Sequence, residues 1–205
     1  MVVQTERQLV GVGGDLRIPT PGVYMLDRAH TMIEFSARQL MVSKVRGRLT
    51  QFVGGIVIDE ELERSYASAT IHAASIHTGD EERDAHLRSK DFLQVESYPT
   101  IEYHSTALEP MGTGSWHVTG DLTICGRTRP VVLEVTFEGA FVDPWGSDRL
   151  VLSAVGKLDR EDWGLTWNKA LETGGWLVSK EVGIELSATA IRLGLDPDGD
   201  SGKGS

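Results

Sequence analysis

The sequence predicts an all-β chain that closes into an antiparallel barrel of about eight strands, with one short helix near residues 80–90. Two observations lead there. Through most of the chain, apolar and polar residues alternate with period two over short segments, the signature of half-buried strands. Gly, Pro, Asn or Asp breaks those segments roughly every ten to fifteen residues, and connections that short favour antiparallel neighbours. Eight such strands close most naturally into a barrel whose interior is filled by side chains or holds one small ligand.

Residues 1–20 mix short apolar pieces with Gly11, Gly13, Gly14 and the Pro19-Thr20-Pro21 break, which predicts an extended arm ahead of a barrel domain over 21–193. Strands are expected near 22–28 and 31–39, readable as one bent strand, and then near 44–58, 66–77, 99–108, 115–124, 129–142, 149–159 and 178–192. Parity names their faces. Ile33, Phe35 and Ala37 oppose Glu34 and Ser36; Ile101 and Tyr103 oppose Glu102 and His104. Val131, Leu133, Val135, Phe137 and Phe141 oppose Val132, Glu134 and Thr136, while Val182, Ile184 and Leu186 oppose Glu185 and Ser187. Each strand therefore has one apolar and one wet face. Between Thr78 and Arg88, a helix-starting Thr78 or Asp80, acids in the first turn and a base in the last predict the helix. The stretch from Asp159 to Gly175, with Trp163 and Trp167 anchoring it and Trp176 just after, reads as a long loop that gates one barrel mouth. Residues 194–205, rich in Asp, Gly and Ser, read as a disordered tail.

Composition narrows the function classes. An apolar fraction of 40 % and a charged fraction of 24 % are ordinary for a globular domain, and they exclude collagen-like, coiled-coil and wholly disordered readings. A chain of 205 residues buries roughly 70 % of its surface, enough for a core without staples. A net charge of −10 is the wrong sign for a phosphate backbone, so nucleic acid is not an expected partner. The single cysteine, Cys125, forms no intrachain disulfide and reads as a small core residue. The N-terminus lacks a basic region followed by an apolar run, and no segment holds the eighteen or so apolar residues of a membrane span. A cytoplasmic location is expected, and a homodimer is left open.

Several ordered blocks resemble the YceI-like proteins, a family of lipocalin-like barrels associated with polyisoprenoid binding. Tyr24-Met25-Leu26-Asp27-Arg28-Ala29-His30-Thr31 is similar to the family's aromatic-x-hydrophobic-Asp-x-x-His-Ser opening, with Thr31 keeping the hydroxyl. The segment Ile76 to Phe92 resembles the family's most recognisable block. Tyr98-Pro99-Thr100-Ile101, then Gly120 to Gly126, and Asp159-Arg160-Glu161-Asp162-Trp163-Gly164 follow in the family's order. The resemblance spans about Tyr24 to Arg192. It implies a lipocalin-like barrel that binds, stores or carries a long isoprenoid without chemistry of its own, and it carries over no catalytic residue, metal or cofactor.

On that reading the ligand-binding residues are Phe35, Ile101, Tyr103, Trp116, Val118, Leu133, Val135, Phe137, Leu152, Ile184 and Leu186 inside the barrel, with Trp163 and Trp167 at its gate. Periodicity alone favours a filled core, and it is the resemblance that turns the reading to an open slot. The rival is a small hydrolase or isomerase that uses the barrel as its pocket and histidines as acid/base groups. A hairpin register pairing Tyr103 with Val118 sets His104 opposite His117, but no spacing supports the three protein ligands zinc requires, so no metal is expected. His86 and Arg83 read as structural groups beside a plug made by Leu87 and Phe92. The Asp159-Arg160-Glu161-Asp162 run reads as a turn tied down by Arg160, and Asp27 with His30 as a turn-fixing pair.

Overall fold

The computed structural model describes residues 19–40, 43–169 and 177–194. The arm expected over 1–20 and the tail expected over 194–205 lie almost wholly outside the described residues, as do Gly174, Gly175 and Trp176 of the expected gate.

The strand segments, in chain order, are β1 (Gly22–Leu26), β2 (Met32–Gln39), β3 (Ser43–Leu49), β4 (Phe52–Ile58), β5 (Tyr66–His72) and β6 (Ile76–His77). Helix α1 (Glu81–Arg88) follows, and then come β7 (Thr100–Gly112), β8 (Ser115–Ile124), β9 (Arg127–Val142), β10 (Asp148–Asp159) and β11 (Val178–Arg192). Every pairing is antiparallel, and β1 joins β11 to close an eight-stranded barrel. Eleven segments fill eight places because three strands are broken. Long β11 pairs with β1 through Ala190–Arg192 and with β2 through 178–187, so β1 and β2 form one bent strand. The expected strands 44–58 and 66–77 break in the same way, into β3 and β4 and into β5 and β6.

Each break is held by local polar chemistry. At the β1–β2 corner Asp27 accepts from the Ala29 N–H and from His30 Nδ1, and pairs with Arg149 Nη1 at 2.5 Å. Arg149 Nε in turn donates to Asp143, which accepts from the N–H groups of Trp145 and Ser147 in the β9–β10 turn. The corner and the hairpin are thus one network. At the other two breaks the Thr50 N–H and hydroxyl donate to Ser75, whose own hydroxyl donates to the His72 carbonyl.

Helix α1 forms where predicted. Asp80 is its N-cap, accepting from the Arg83 N–H at 3.0 Å, and Glu81, Glu82 and Asp84 place negative charge at the positive end of the helix dipole. Asp84 is buried and accepts from the N–H and hydroxyl of Thr78 and from His77. Burial alone would raise its pKa; those hydrogen bonds overturn that and hold it below the usual carboxylate value.

Two expectations are corrected. The β7–β8 hairpin runs on to Gly112 and turns through Thr113 and Gly114, with bulges near Thr106 and Met111, so Tyr103 faces Leu122 rather than Val118. His104 then faces Asp121 and His117 faces Glu109, and the proposed histidine pair does not exist. In β9 a bulge at Glu138, where Val151 pairs with Gly139 and Leu152 with Phe137, reverses the parity beyond it. Phe141 is therefore exposed instead of sharing the inner face with Val131 to Phe137.

Candidate functional site

Two apolar clusters, one toward each end of the barrel, share a common cavity. The end nearest α1 holds a cluster including Phe52, Ile71, Ile101, Leu122, Ile124, Val131 and Trp163; the opposite end holds Tyr24, Ile58, Trp116, Val118, Phe137 and Leu150. Through both runs a cavity of about 360 Å³ with an almost wholly apolar wall. An apolar cavity of that size forfeits dispersion contacts, and an apolar ligand recovers them on entry.

Ten of the predicted interior residues line this cavity: Phe35, Ile101, Tyr103, Trp116, Val118, Leu133, Val135, Leu152, Ile184 and Leu186. Three named with them do not. Phe137 keeps the inward parity but is absorbed into the cluster around Trp116 and Leu150. Trp163 is no gate: it is 2 % exposed, and its Nε1 donates to the Leu122 carbonyl at 2.9 Å, fixing the turn after β10 to the barrel wall. Trp167 packs outside the plug, edge-on to His86 at 4.5 Å and against Phe92 at 5.3 Å.

The plug is built largely as the sequence suggested. Leu87, Phe92 and Leu93 line the cavity at the helix end, while Arg83 bonds back to Thr78, Arg88 to the carbonyls of Ala74 and Ile76, and His86 to Asp91. Cys125 Sγ donates to the Leu93 carbonyl at 3.3 Å, and burial pushes its thiol pKa up, as suits a packing residue. At the far end Pro19, Leu62 and Tyr66 border the cavity.

Close strand approach keeps the lumen open. Gly120 lies under the Tyr103 ring and Gly47 under that of Phe35, so both aromatics fold back against the wall. Any Cβ at those positions would force the rings inward.

Among the described residues, three that line the cavity each carry a buried side-chain atom without a hydrogen-bond partner: Tyr103 Oη, Trp116 Nε1 and Arg160 Nη2. Burial pushes the Tyr103 pKa up to about 12, so the phenol stays protonated and remains a donor. Arg160 was read only as a turn anchor, and it is one: its Nε donates to the Ser179 carbonyl at 2.9 Å and its Nη1 to the Leu165 carbonyl. It also borders the cavity, because it continues the inward parity of Leu152, Ala154 and Leu158 along β10, and that parity was the available signal. None of the six histidines lines the cavity.

The YceI-like domain model matches residues 24–190, which is most of the chain and all of the barrel except the first two residues of β1 and the last two of β11. The chain belongs to the YceI-like family. Among relatives, the UPF0312 protein SA2479 of Staphylococcus aureus is 38 % identical over 167 residues, 80 % of this chain and 95 % of that one. Among solved structures, BcnA of Burkholderia cenocepacia superposes with a TM-score of 0.70 at 23 % identity, covering 80 % of this chain and 98 % of that one. A polyisoprenoid binding domain from Saccharophagus degradans, implicated in plant cell wall breakdown, superposes with a TM-score of 0.65 at 13 % identity, covering 85 % and 100 %. The two structural likenesses show a shared barrel fold. Among the described residues, no helix is long and apolar enough to cross a membrane.

Proposed function

We propose that this YceI-like barrel binds one long-chain isoprenoid or polyisoprenoid along its axis, and stores or carries it without altering it. The cavity carries the reading: it runs from Leu62 and Trp116 to Leu87 and Phe92, almost uninterrupted by polar wall. Burial contributes roughly 0.8 kcal/mol per CH₂, less the cost of ordering the chain, so affinity grows with tail length. The polyisoprenoid binding domain with the same fold supports this choice of ligand class. A non-catalytic role is supported by the absence from the cavity lining of His72, His104 and His117, the groups the hydrolase or isomerase reading needed inside. The proposed setting is the cytoplasm, in keeping with a lone, half-buried thiol. Native mass spectrometry of protein purified from its own host, with bound lipid released by gentle denaturation, tests the reading. One long-chain apolar species per barrel is the expected result, and protein without any such species would count against it.

A further inference from the structure

From the bonding around Arg160 we infer that the slot is directional: an anionic oxygen at one end of the apolar ligand seats on Arg160 beside the α1 plug, and the tail runs toward Trp116. The inference rests on the slot reading above and adds the head-group chemistry to it. Arg160 is 3 % exposed, and three of its features point to a missing acceptor. Two of its nitrogens are spent on the Ser179 and Leu165 carbonyls, which fix the side chain but supply no negative charge. The third, Nη2, is buried without a partner. The neighbouring acids are engaged elsewhere: Glu161 pairs with Lys180 at 2.7 Å, and Asp159 caps the Glu161 N–H.

A buried guanidinium needs an anion or a full set of acceptors, because an uncompensated charge costs far more to bury than a neutral donor. Burial indeed pulls the Arg160 pKa down, with Glu161 and Asp159 opposing that pull only at a distance. The Tyr103 hydroxyl and Trp116 N–H are also unpartnered, but they are neutral and gain less from an acceptor, which is why the head is assigned to Arg160. Leaving one nitrogen of a fixed guanidinium free suits a carboxylate or phosphate oxygen equally, since both present a charged acceptor to one N–H. Trp116 pairs with Val135 and Val135 with Ala154, so Arg160, the first residue after β10, lies six residues along the chain from the Trp116 level. That is about 20 Å of strand, room for a tail of a dozen or more carbons.

The test compares three probes of equal tail length on the delipidated full chain: geranylgeranoic acid, geranylgeranyl phosphate and the parent C20 hydrocarbon. The acid and the phosphate are expected to bind at least tenfold tighter than the hydrocarbon, and Arg160→Met should remove that preference. A second measurement covers the case in which Arg160→Met fails to fold. The ¹⁵N guanidinium resonance of Arg160 in the wild-type protein should shift with the acid and stay put with the hydrocarbon. Equal binding of all three probes, an unmoved Arg160 resonance, or a preference that survives in folded Arg160→Met overturns the inference and leaves the slot reading intact. Failure of every probe to bind overturns the slot reading itself.

Discussion

The Tyr103 ring lies on the backbone of Gly120, so close that a Cβ at Gly120 would come within 2.5–2.6 Å of the ring and its hydroxyl. Wall and lumen are therefore coupled at this point. Gly120→Val should swing Tyr103 into the cavity, reduce uptake of geranylgeraniol several-fold, and cost about 1–3 kcal/mol as an overpacked core. Isothermal titration together with a melting curve reads both effects; unchanged uptake in the folded variant would mean that the lumen beside Tyr103 is not the ligand path.

The five tryptophans divide by position, and that division predicts their spectroscopy. Trp116 lines the cavity, whereas Trp163 is locked to Leu122 in the core. Trp116→Phe should abolish most of the fluorescence change on ligand loading. Trp163→Phe should leave that change in place but lower stability by about 1–3 kcal/mol, because the Leu122 carbonyl loses its buried donor. A loading signal lost with Trp163 and kept without Trp116 would reverse the assignment.

Acid should unfold the protein through two carboxylates in particular. Arg149 holds Asp27 down to about 2, against burial and with help from His30, and Thr78 with His77 holds Asp84 below its usual value. A carboxylate whose folded pKa lies below its unfolded one contributes stability that is complete above the unfolded value and is lost as pH falls through the folded one. The melting temperature should thus decline between about pH 4 and pH 2. Arg149→Met should flatten the Asp27 part of that decline and lower stability at neutral pH; a pH profile identical to wild type would show that the pair contributes nothing.

His104 and His117 sit apart on the barrel, facing Asp121 and Glu109. Replacing both with Gln should change stability by no more than about 0.5 kcal/mol, the usual range for surface positions. Calorimetry with added zinc should show the same melting temperature for both proteins, and a zinc-dependent rise abolished by His104→Gln would contradict the separation.

Parity and register were not equally readable from sequence. The true β7–β8 register sets Tyr103 four residues further along β8 than the reading that paired it with Val118. An even slip keeps every side chain on its own face, so Ile101, Tyr103, Trp116 and Val118 were assigned to the interior despite the wrong pairing. The bulge at Glu138 is an odd slip, and it misplaced Phe141. Nothing in the local pattern announces such a bulge, because it is set by how β9 twists against β10. Trp163 was misread for a different reason: its Gly-flanked surroundings suggested a mobile loop, while its burial depends on a bond to β8 some forty residues away in sequence. Arg160 looked like a turn residue because charge is seldom placed inside an apolar barrel. Its two structural bonds confirm the turn role, and only the three-dimensional count of its nitrogens reveals the one left over.

The central claim, that the apolar interior is the binding site, is tested most directly by native mass spectrometry of the delipidated chain with geranylgeraniol, comparing wild type with Val135→Phe and Val132→Phe. Val135 lines the cavity and Val132 is exposed on the same strand, so the two substitutions add the same volume on opposite faces. One geranylgeraniol per chain is predicted for wild type and for Val132→Phe, with most of it lost in Val135→Phe. Full loading of a folded Val135→Phe, or loss confined to Val132→Phe, would contradict the account.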